Sequence, residues 1–308
     1  MGIPTREAYG RTLAKLVEEN KDIVVLDADL SGSTKTALAK KVAPERHFNM
    51  GIAEANMIGV AAGLAASGKT VFASSFVIFA TGRAWEQMRN SVCYPELNVK
   101  VCGSHGGLSV GEDGATHQSL EDVAIMRAIP RLRVYQPCDA KETEAVIRHV
   151  AEIKGPCYVR LGRANVDDVY EGEVPDVTKI HVLNKGEKIA ILATGYEVQQ
   201  ALKAKELLQA EGYNPTVVDI ACIKPIDEEG VVEILKNHEH VFTVEEHSIV
   251  GGFGSAVCEV ACNKYPHVIH RIGVNDVFGQ SGPAMAVITE YGLDGASIAK
   301  KILETVNK

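Results

Sequence analysis

The sequence predicts an α/β protein made of two consecutive α/β domains with mainly parallel sheets. Three observations predict it. Short β-branched runs, apolar on both faces, alternate with helix-length segments along the whole chain, as parallel strands buried under crossover helices require. The alternation lapses once, over residues 167–178 (DDVYEGEVPDVT), which are acidic, carry Gly and Pro and show no period. The 308 residues also leave room for two hydrophobic cores, at roughly 150 residues per domain. The expected division is a first domain over 1–170, a linker at 171–179 and a second domain over 180–308.

In chain order, REAYGRTLAKLVEEN from Arg6 reads as an amphipathic helix and IVVLDA from Ile23 as a buried strand. AEANMIGVAAGLAA from Ala53 is helical by composition, and TVFAS from Thr70 is the next strand. VKVCGS from Val99, LRVYQP from Leu132 and CYVRL from Cys157 are further strands, with AKETEAVIRHVAEI from Ala140 as the helix before the last. Beyond the linker follow KIAILAT, a helix over 196–210, TVVDIA, VFTVEE, a helix after Gly254, VIHRIG and a terminal helix.

Composition narrows the function. A net charge of −8 argues against a general nucleic-acid binder, which needs basic surface to displace phosphate counterions. Local Arg and His can still bind a small anion in a cleft. The N-terminus lacks a signal-peptide pattern, and the longest apolar runs, 57–66 and 71–80, are broken by Ser67-Gly68-Lys69-Thr70. Seven scattered cysteines form no C-x-x-C pair and read as reduced thiols. The expectation is a cytoplasmic protein with no membrane contact.

Residues 63–70 (GLAASGKT) match the P-loop pattern letter for letter. That motif cradles phosphate only in the order strand, loop, helix. Here a helix precedes it and a strand follows, so Gly68 is expected to end a helix, with Lys69 beside the negative end of its dipole.

Three polar, Gly-rich segments stand out. Residues 27–33 (DADLSGS) directly follow the first strand, where open α/β sheets bind ligands, although alone they would make an ordinary turn. Residues 51–57 (GIAEANM) place Glu54 in the first turn of a nearly all-apolar helix. A carboxylate there either answers the helix dipole or, buried, hydrogen-bonds a ligand nitrogen. Residues 102–118 (CGSHGGLSVGEDGATHQ) hold His105, Asp113 and His117 among five glycines. They suit close ligand approach and proton transfer, and their spacing fits no common metal pattern. A fourth Gly-rich loop, VEEHSIVGGFGSA from Val244, carries no assigned chemistry and is expected at an interface.

Together with the phenylalanines of SSFVIFATGRAWEQMR and with RLGR at 160–163, these segments make the chain resemble the C-terminal half of a transketolase over essentially its full length. The resemblance implies a pyrimidine-binding domain followed by a smaller C-terminal domain. It also implies thiamine diphosphate and transfer of a two-carbon ketol unit between sugar phosphates, as in the pentose phosphate pathway. By the same resemblance, Glu54 falls at the glutamate that hydrogen-bonds the aminopyrimidine ring. Phe76 and Phe79 fall at ring contacts, and Asp29 and Leu30 near the cofactor's ring system. Arg6, Ser33 and Arg163 fall at the sugar phosphate, a task that suits the planar guanidinium fork. His105, Asp113 and His117 fall in the substrate channel, the two histidines assisting proton transfer.

The chain lacks the Gly-Asp-Gly motif with which transketolases bind the diphosphate and its metal. The resemblance therefore implies no metal on this chain, Mg²⁺ or Ca²⁺ on a partner carrying the N-terminal part, two copies of each chain, and no activity of this chain alone. Beta subunits of 2-oxo acid dehydrogenases and deoxyxylulose-phosphate synthases share the GIAE segment. The former lack SHGGLSVGEDGATHQ, and the latter have a different residue where His105 stands.

Overall fold

The computed structural model describes residues 2–307. Its first half contains β1 (Ile23–Asp27), β2 (His47–Asn49), β3 (Thr70–Phe76), β4 (Val99–Ser104), β5 (Arg133–Tyr135) and β6 (Cys157–Arg160). Its second half contains β7 (His181–Asn184), β8 (Lys188–Ala193), β9 (Thr216–Asp219), β10 (Cys222–Lys224), β11 (His238–Ser248) and β12 (Ile269–Val274). Every residue of β1 and β4 is buried, which is why β1 runs apolar up to Asp27 and why Lys100 within β4 places its ammonium on the Ile153 and Gly155 carbonyls.

Two α/β units result. One sheet has the order β10-β5-β6-β4-β3-β1-β2 and the other β12-β11-β8-β9-β7. All pairings are parallel except β10 with β5 and β7 with β9. The first exception crosses the expected domain division, because β10 comes from the second half and closes the edge of the first sheet.

Helices fall where periodicity places them. Thr5–Glu19 buries Tyr9, whose hydroxyl pairs with Ser74 Oγ at 2.7 Å. Ala140–Glu152 is capped by Asp139, which accepts from the Glu142 amide at 2.8 Å, and Gly295–Val306 by Asp294. Two details differ from expectation. The VFTVEE strand extends over all of His238–Ser248, and the helix expected after Gly254 already begins at Phe253. The FATGRAWEQMR stretch is no plain α-helix, because π-helical turns at Phe79–Arg83 and Met88–Cys93 flank a short α turn. Such bulges frequently accompany functional sites.

The P-loop look-alike is a helix end. Glu54–Ala66 stops before Gly68, which takes φ +94°, and the Lys69 amide donates back to the Leu64 carbonyl. The Lys69 ammonium, expected beside the helix dipole, instead pairs with Asp22 at 2.7 Å.

Residues 167–178 contain neither helix nor strand, yet the segment is fastened rather than free. The Val169 and Tyr170 amides both donate to the Asp139 carboxylate, at 2.8 and 2.9 Å. Beside them lies a buried acidic seam between the halves. The Cys138 thiol and the Glu142 and Asp219 carboxyls sit within 4.8 Å of one another, fully shut off from solvent. Asp219 accepts from the Tyr170 hydroxyl at 2.7 Å, and Glu142 from the Cys138 amide at 2.7 Å.

The VEEHSIVGGFGSA segment, which runs from β11 into the helix from Phe253, packs against the first half of the same chain. Arg160 pairs with buried Asp122 at 2.8 Å and donates to the Ser119 and Glu246 carbonyls. Glu246 in turn accepts from the Ser109 amide, and the Ser248 amide donates to the Leu120 carbonyl at 2.8 Å. No helix among the described residues is long and apolar enough to cross a membrane.

Candidate active site

Sheet register assembles the site. Asp27 at the end of β1 lies opposite Asn49 and Ser74, and Phe76 at the end of β3 opposite Ser104. The loops that follow therefore emerge side by side at the C-terminal ends of parallel strands, where such sheets bind ligands. The helix that opens with Glu54 starts five residues after β2 ends.

DADLSGS turns on a polar knot. Asp27, fully buried, accepts from the Leu30 amide at 2.5 Å and from the Thr34 and Thr36 hydroxyls at 2.7 and 2.9 Å. Asp29 is exposed at φ +64°, pinned by reciprocal hydrogen bonds with Asn49 at 3.0 and 2.7 Å. Leu30 is half-buried at the start of the following helical turn.

His105 also takes a positive φ, +65°, a strained conformation for a non-Gly residue and one that clusters at functional sites. Its ring stacks on Phe76 with centroids 3.8 Å apart. Phe79 lies 5.9 Å from Phe76, nearly parallel, and His117 meets Phe79 edge-on at 5.4 Å. Arg6 Nη1 stands 3.3 Å from His105 Nε2. A guanidinium has no acceptor, so Nε2 carries the lone pair and Nδ1–H donates to Ser104 Oγ at 2.8 Å. Burial, then the charges of Arg6, Arg163 and His117, push the His105 pKa down to about 3. The imidazole is neutral at physiological pH.

The anion side is less open than expected. Arg6 donates to the Ser33 carbonyl at 3.0 Å, so it is the backbone of Ser33, and not its hydroxyl, that meets the guanidinium. Arg6 Nε is buried without a partner, and burial together with Arg163 lowers the Arg6 pKa. Arg163 is held by the Val110 carbonyl and by Glu112, 2.7 Å away and mostly exposed. A phosphate there has to displace Glu112. Asp113 is exposed at the end of the Leu108–Asp113 turn.

Glu54 is 3% exposed, as the apolar helix around it predicts. It is not unpaired, however. Arg83 Nη1 reaches both carboxylate oxygens at 3.2 Å, and the same guanidinium lies 4.2 Å over the Phe79 ring. Arg83 and Asn49 are site residues that sequence reasoning missed. GRAW carries no signal by itself, because a π-helical turn breaks the spacing on which face assignments rest. Thus Glu54, Phe76, Phe79, His105, His117 and Arg6 form one connected cluster, with Ser33 and Arg163 at its cationic side and Asp29 and Leu30 on the adjoining loop.

Residues 1–168 match the sequence model of the transketolase pyrimidine-binding domain, and residues 178–298 that of the transketolase C-terminal domain. The chain belongs to the transketolase family. A Methanocaldococcus jannaschii protein named for a transketolase C-terminal section is 54% identical over 307 residues, covering 98% of this chain and 96% of that protein. One of the subunits of an apulose-4-phosphate transketolase from Phocaeicola vulgatus is 36% identical, covering 99% of this chain and 98% of that protein. Among solved structures, a split gene transketolase described as an inactive beta4 tetramer superposes with a TM-score of 0.90 at 49% identity, covering 98% of each chain.

Proposed function

We propose that this chain is the C-terminal subunit of a two-chain transketolase. It carries the aminopyrimidine side of the active site and the channel for sugar phosphates. The observation that carries this reading is the connected cluster of Glu54, the two phenylalanines, the two histidines and Arg6, in a chain with no Gly-Asp-Gly segment for a diphosphate. Split-gene and C-terminal-section relatives of matching length support a separate N-terminal partner, with two copies of each chain as the proposed assembly. That partner would hold Mg²⁺ or Ca²⁺, and seven free cysteines suit a cytoplasmic setting.

The family depends on thiamine diphosphate, and the residues present fit its aminopyrimidine end. Among the described residues, the buried Glu54 carboxylate takes its hydrogen bonds from one half-exposed arginine, which itself lies over the first of two near-parallel phenyl rings, Phe79 and Phe76. Such a group can accept a ring N–H while the Phe79 face, where Arg83 now lies, packs on a planar base. When bound, the cofactor supplies the electron sink for breaking and forming a carbon–carbon bond beside a carbonyl. Glu54 would fix the orientation of the ring and stabilise its N-protonated form. His105 is neutral, with its Nε2 lone pair taken by Arg6. It is suited to position Arg6 and to hydrogen-bond a substrate hydroxyl rather than to keep its proton, and His117 to assist proton transfer from across the phenyl rings. Arg6, aimed by the Ser33 carbonyl, and Arg163 would hold the phosphate and so fix the distance from the anion to the reacting carbonyl.

Reconstitution tests the reading. The chain is mixed with the N-terminal chain, thiamine diphosphate and Mg²⁺, and xylulose 5-phosphate with ribose 5-phosphate is followed by a coupled assay. Apulose 4-phosphate belongs in the substrate panel because a relative of matching length is named for it. The mixture is expected to turn over and each chain alone to be inactive. Turnover by this chain by itself refutes the proposal.

A further inference from the structure

Arg83 places a flat cation on Glu54 and Phe79 at once. Its Nη1 lies 3.2 Å from both Glu54 oxygens, and its Cζ lies 4.2 Å above the Phe79 ring. A planar group with an N–H aimed at the carboxylate and one face on the phenyl ring is also the outline of an aminopyrimidine bound at this spot. Two independent contacts thus put the guanidinium where such a ring has to lie.

We propose that Arg83 is a built-in placeholder for the aminopyrimidine, occupying its seat in the isolated subunit and leaving when the cofactor arrives with the partner chain. This rests on the thiamine reading of the site. Three features make the exchange feasible. The Arg83 side chain is 52% exposed while Glu54 is 3% exposed, so the arginine can rotate into water while the carboxylate stays fixed. Arg83 ends the π-helical turn Phe79–Arg83, directly after Gly82, where a Cβ would meet nothing within 4 Å. No other hydrogen bond anchors the guanidinium among the described residues, in contrast to Arg160 with its Asp122, Ser119 and Glu246 partners.

The physical rationale is the cost of a buried bare carboxylate. Glu54 must be sunk among apolar side chains to hold a ring N–H in a dry setting, yet an unpaired buried charge is costly. A resident guanidinium neutralises it until the ligand arrives. The consequence is a population penalty: apparent cofactor affinity is reduced by the fraction of subunits in which Arg83 holds the seat.

The test is calorimetric titration of thiamine diphosphate into the reconstituted two-chain enzyme with Mg²⁺ at pH 8, comparing wild type, Arg83→Met, Arg83→Lys and Glu54→Gln. Arg83→Met keeps an unbranched apolar stem and removes the competing cation. It is expected to bind the cofactor roughly three- to tenfold tighter than wild type, with Arg83→Lys between the two. In the Glu54→Gln background the gain from Arg83→Met should vanish, because no carboxylate is left to compete for. Wild-type binding with Arg83→Met equal or weaker overturns the placeholder and leaves the thiamine reading standing. Absence of wild-type binding overturns both. Thermal denaturation of the isolated variants guards against misfolding: a double-mutant cycle between Arg83 and Glu54 should show coupling in the subunit alone, and its absence counts against the contact itself.

Discussion

The acidic seam between the halves predicts an unusual pH response, which Glu142→Gln should abolish. Glu142 and Asp219 are fully buried, and each keeps one carboxyl oxygen without a partner. Tyr170 and Cys138 already donate to the other oxygen of Asp219, and the Cys138 amide to the other oxygen of Glu142. Burial, and then the neighbouring Asp219 charge, hold the Glu142 carboxyl well above its ordinary range. Burial and like-charge repulsion favour a single proton held between the two carboxyls, with Glu142 the protonated partner. The sign follows. Above about pH 4.3, the ordinary glutamate value, the unfolded chain releases this proton while the folded chain keeps it. Stability is fully present below that pH and falls as pH rises toward the folded value of Glu142, by up to ~1.4 kcal/mol per unit. A glutamine amide can donate to Asp219 and accept from Cys138 without titrating. Glu142→Gln should therefore match wild type within about 1 kcal/mol at pH 5 and become progressively the more stable protein toward pH 8. Glu142→Leu satisfies neither neighbour and should cost ~1–3 kcal/mol at pH 5, a deficit that shrinks toward pH 8 because leucine also removes the titrating proton. Chemical denaturation at pH 5, 6, 7 and 8 reads all three. Parallel pH curves for wild type and Glu142→Gln refute the shared proton.

Other outcomes follow from the same geometry. Glu54→Gln should abolish turnover of the reconstituted enzyme while leaving its circular dichroism unchanged; near-normal turnover removes Glu54 from its proposed role. With its pKa held at about 3, His105 should show no imidazole titration by NMR between pH 5 and 8, and Arg6→Ala should raise the value toward the ordinary one. Arg160→Met leaves Asp122 charged and unmatched inside the fold and should cost ~3–5 kcal/mol in denaturation experiments. Gly107→Ala combines φ +84° with a Cβ driven into the Glu246 carboxyl, so its melting temperature should drop although the residue lies outside both cores.

The parts of this structure legible in the sequence are those encoded by local pattern. β1 and β8 announce themselves as near-continuous apolar runs, and Thr5–Glu19 and Ala140–Glu152 by helical period. Glu54 and His105 stand out because each is a polar group set in an apolar or Gly-rich context. Phe76 and Phe79 are visible as site residues only through family resemblance; by period alone they are core. Arg83 is invisible because its partners, Glu54 and Phe79, are chosen by a π-helical turn that no propensity signals. The same holds for Glu142 and Asp219, which lie far apart along the chain and meet only once both halves have folded. Arg163 reads as a free anion-binding cation, and only the fold shows Glu112 holding it.

Sheet membership and chain order disagree at β10, and this limits how the polypeptide can be cut. A fragment ending at residue 178 would keep β1 to β6 and the first-half helices but lose Cys222–Lys224 from the flank of β5. The bared main-chain groups of Val134 and Tyr135 would then offer a template for strand addition from a neighbouring fragment. Such a fragment should self-associate, and it should be rescued by a peptide spanning 220–226 more readily than by detergent. Beyond the peptide chain and the side-chain contacts at Glu246 and Asp219, the two halves are joined by a borrowed strand. Any rearrangement that swaps the second half for another domain must bring its own edge guard.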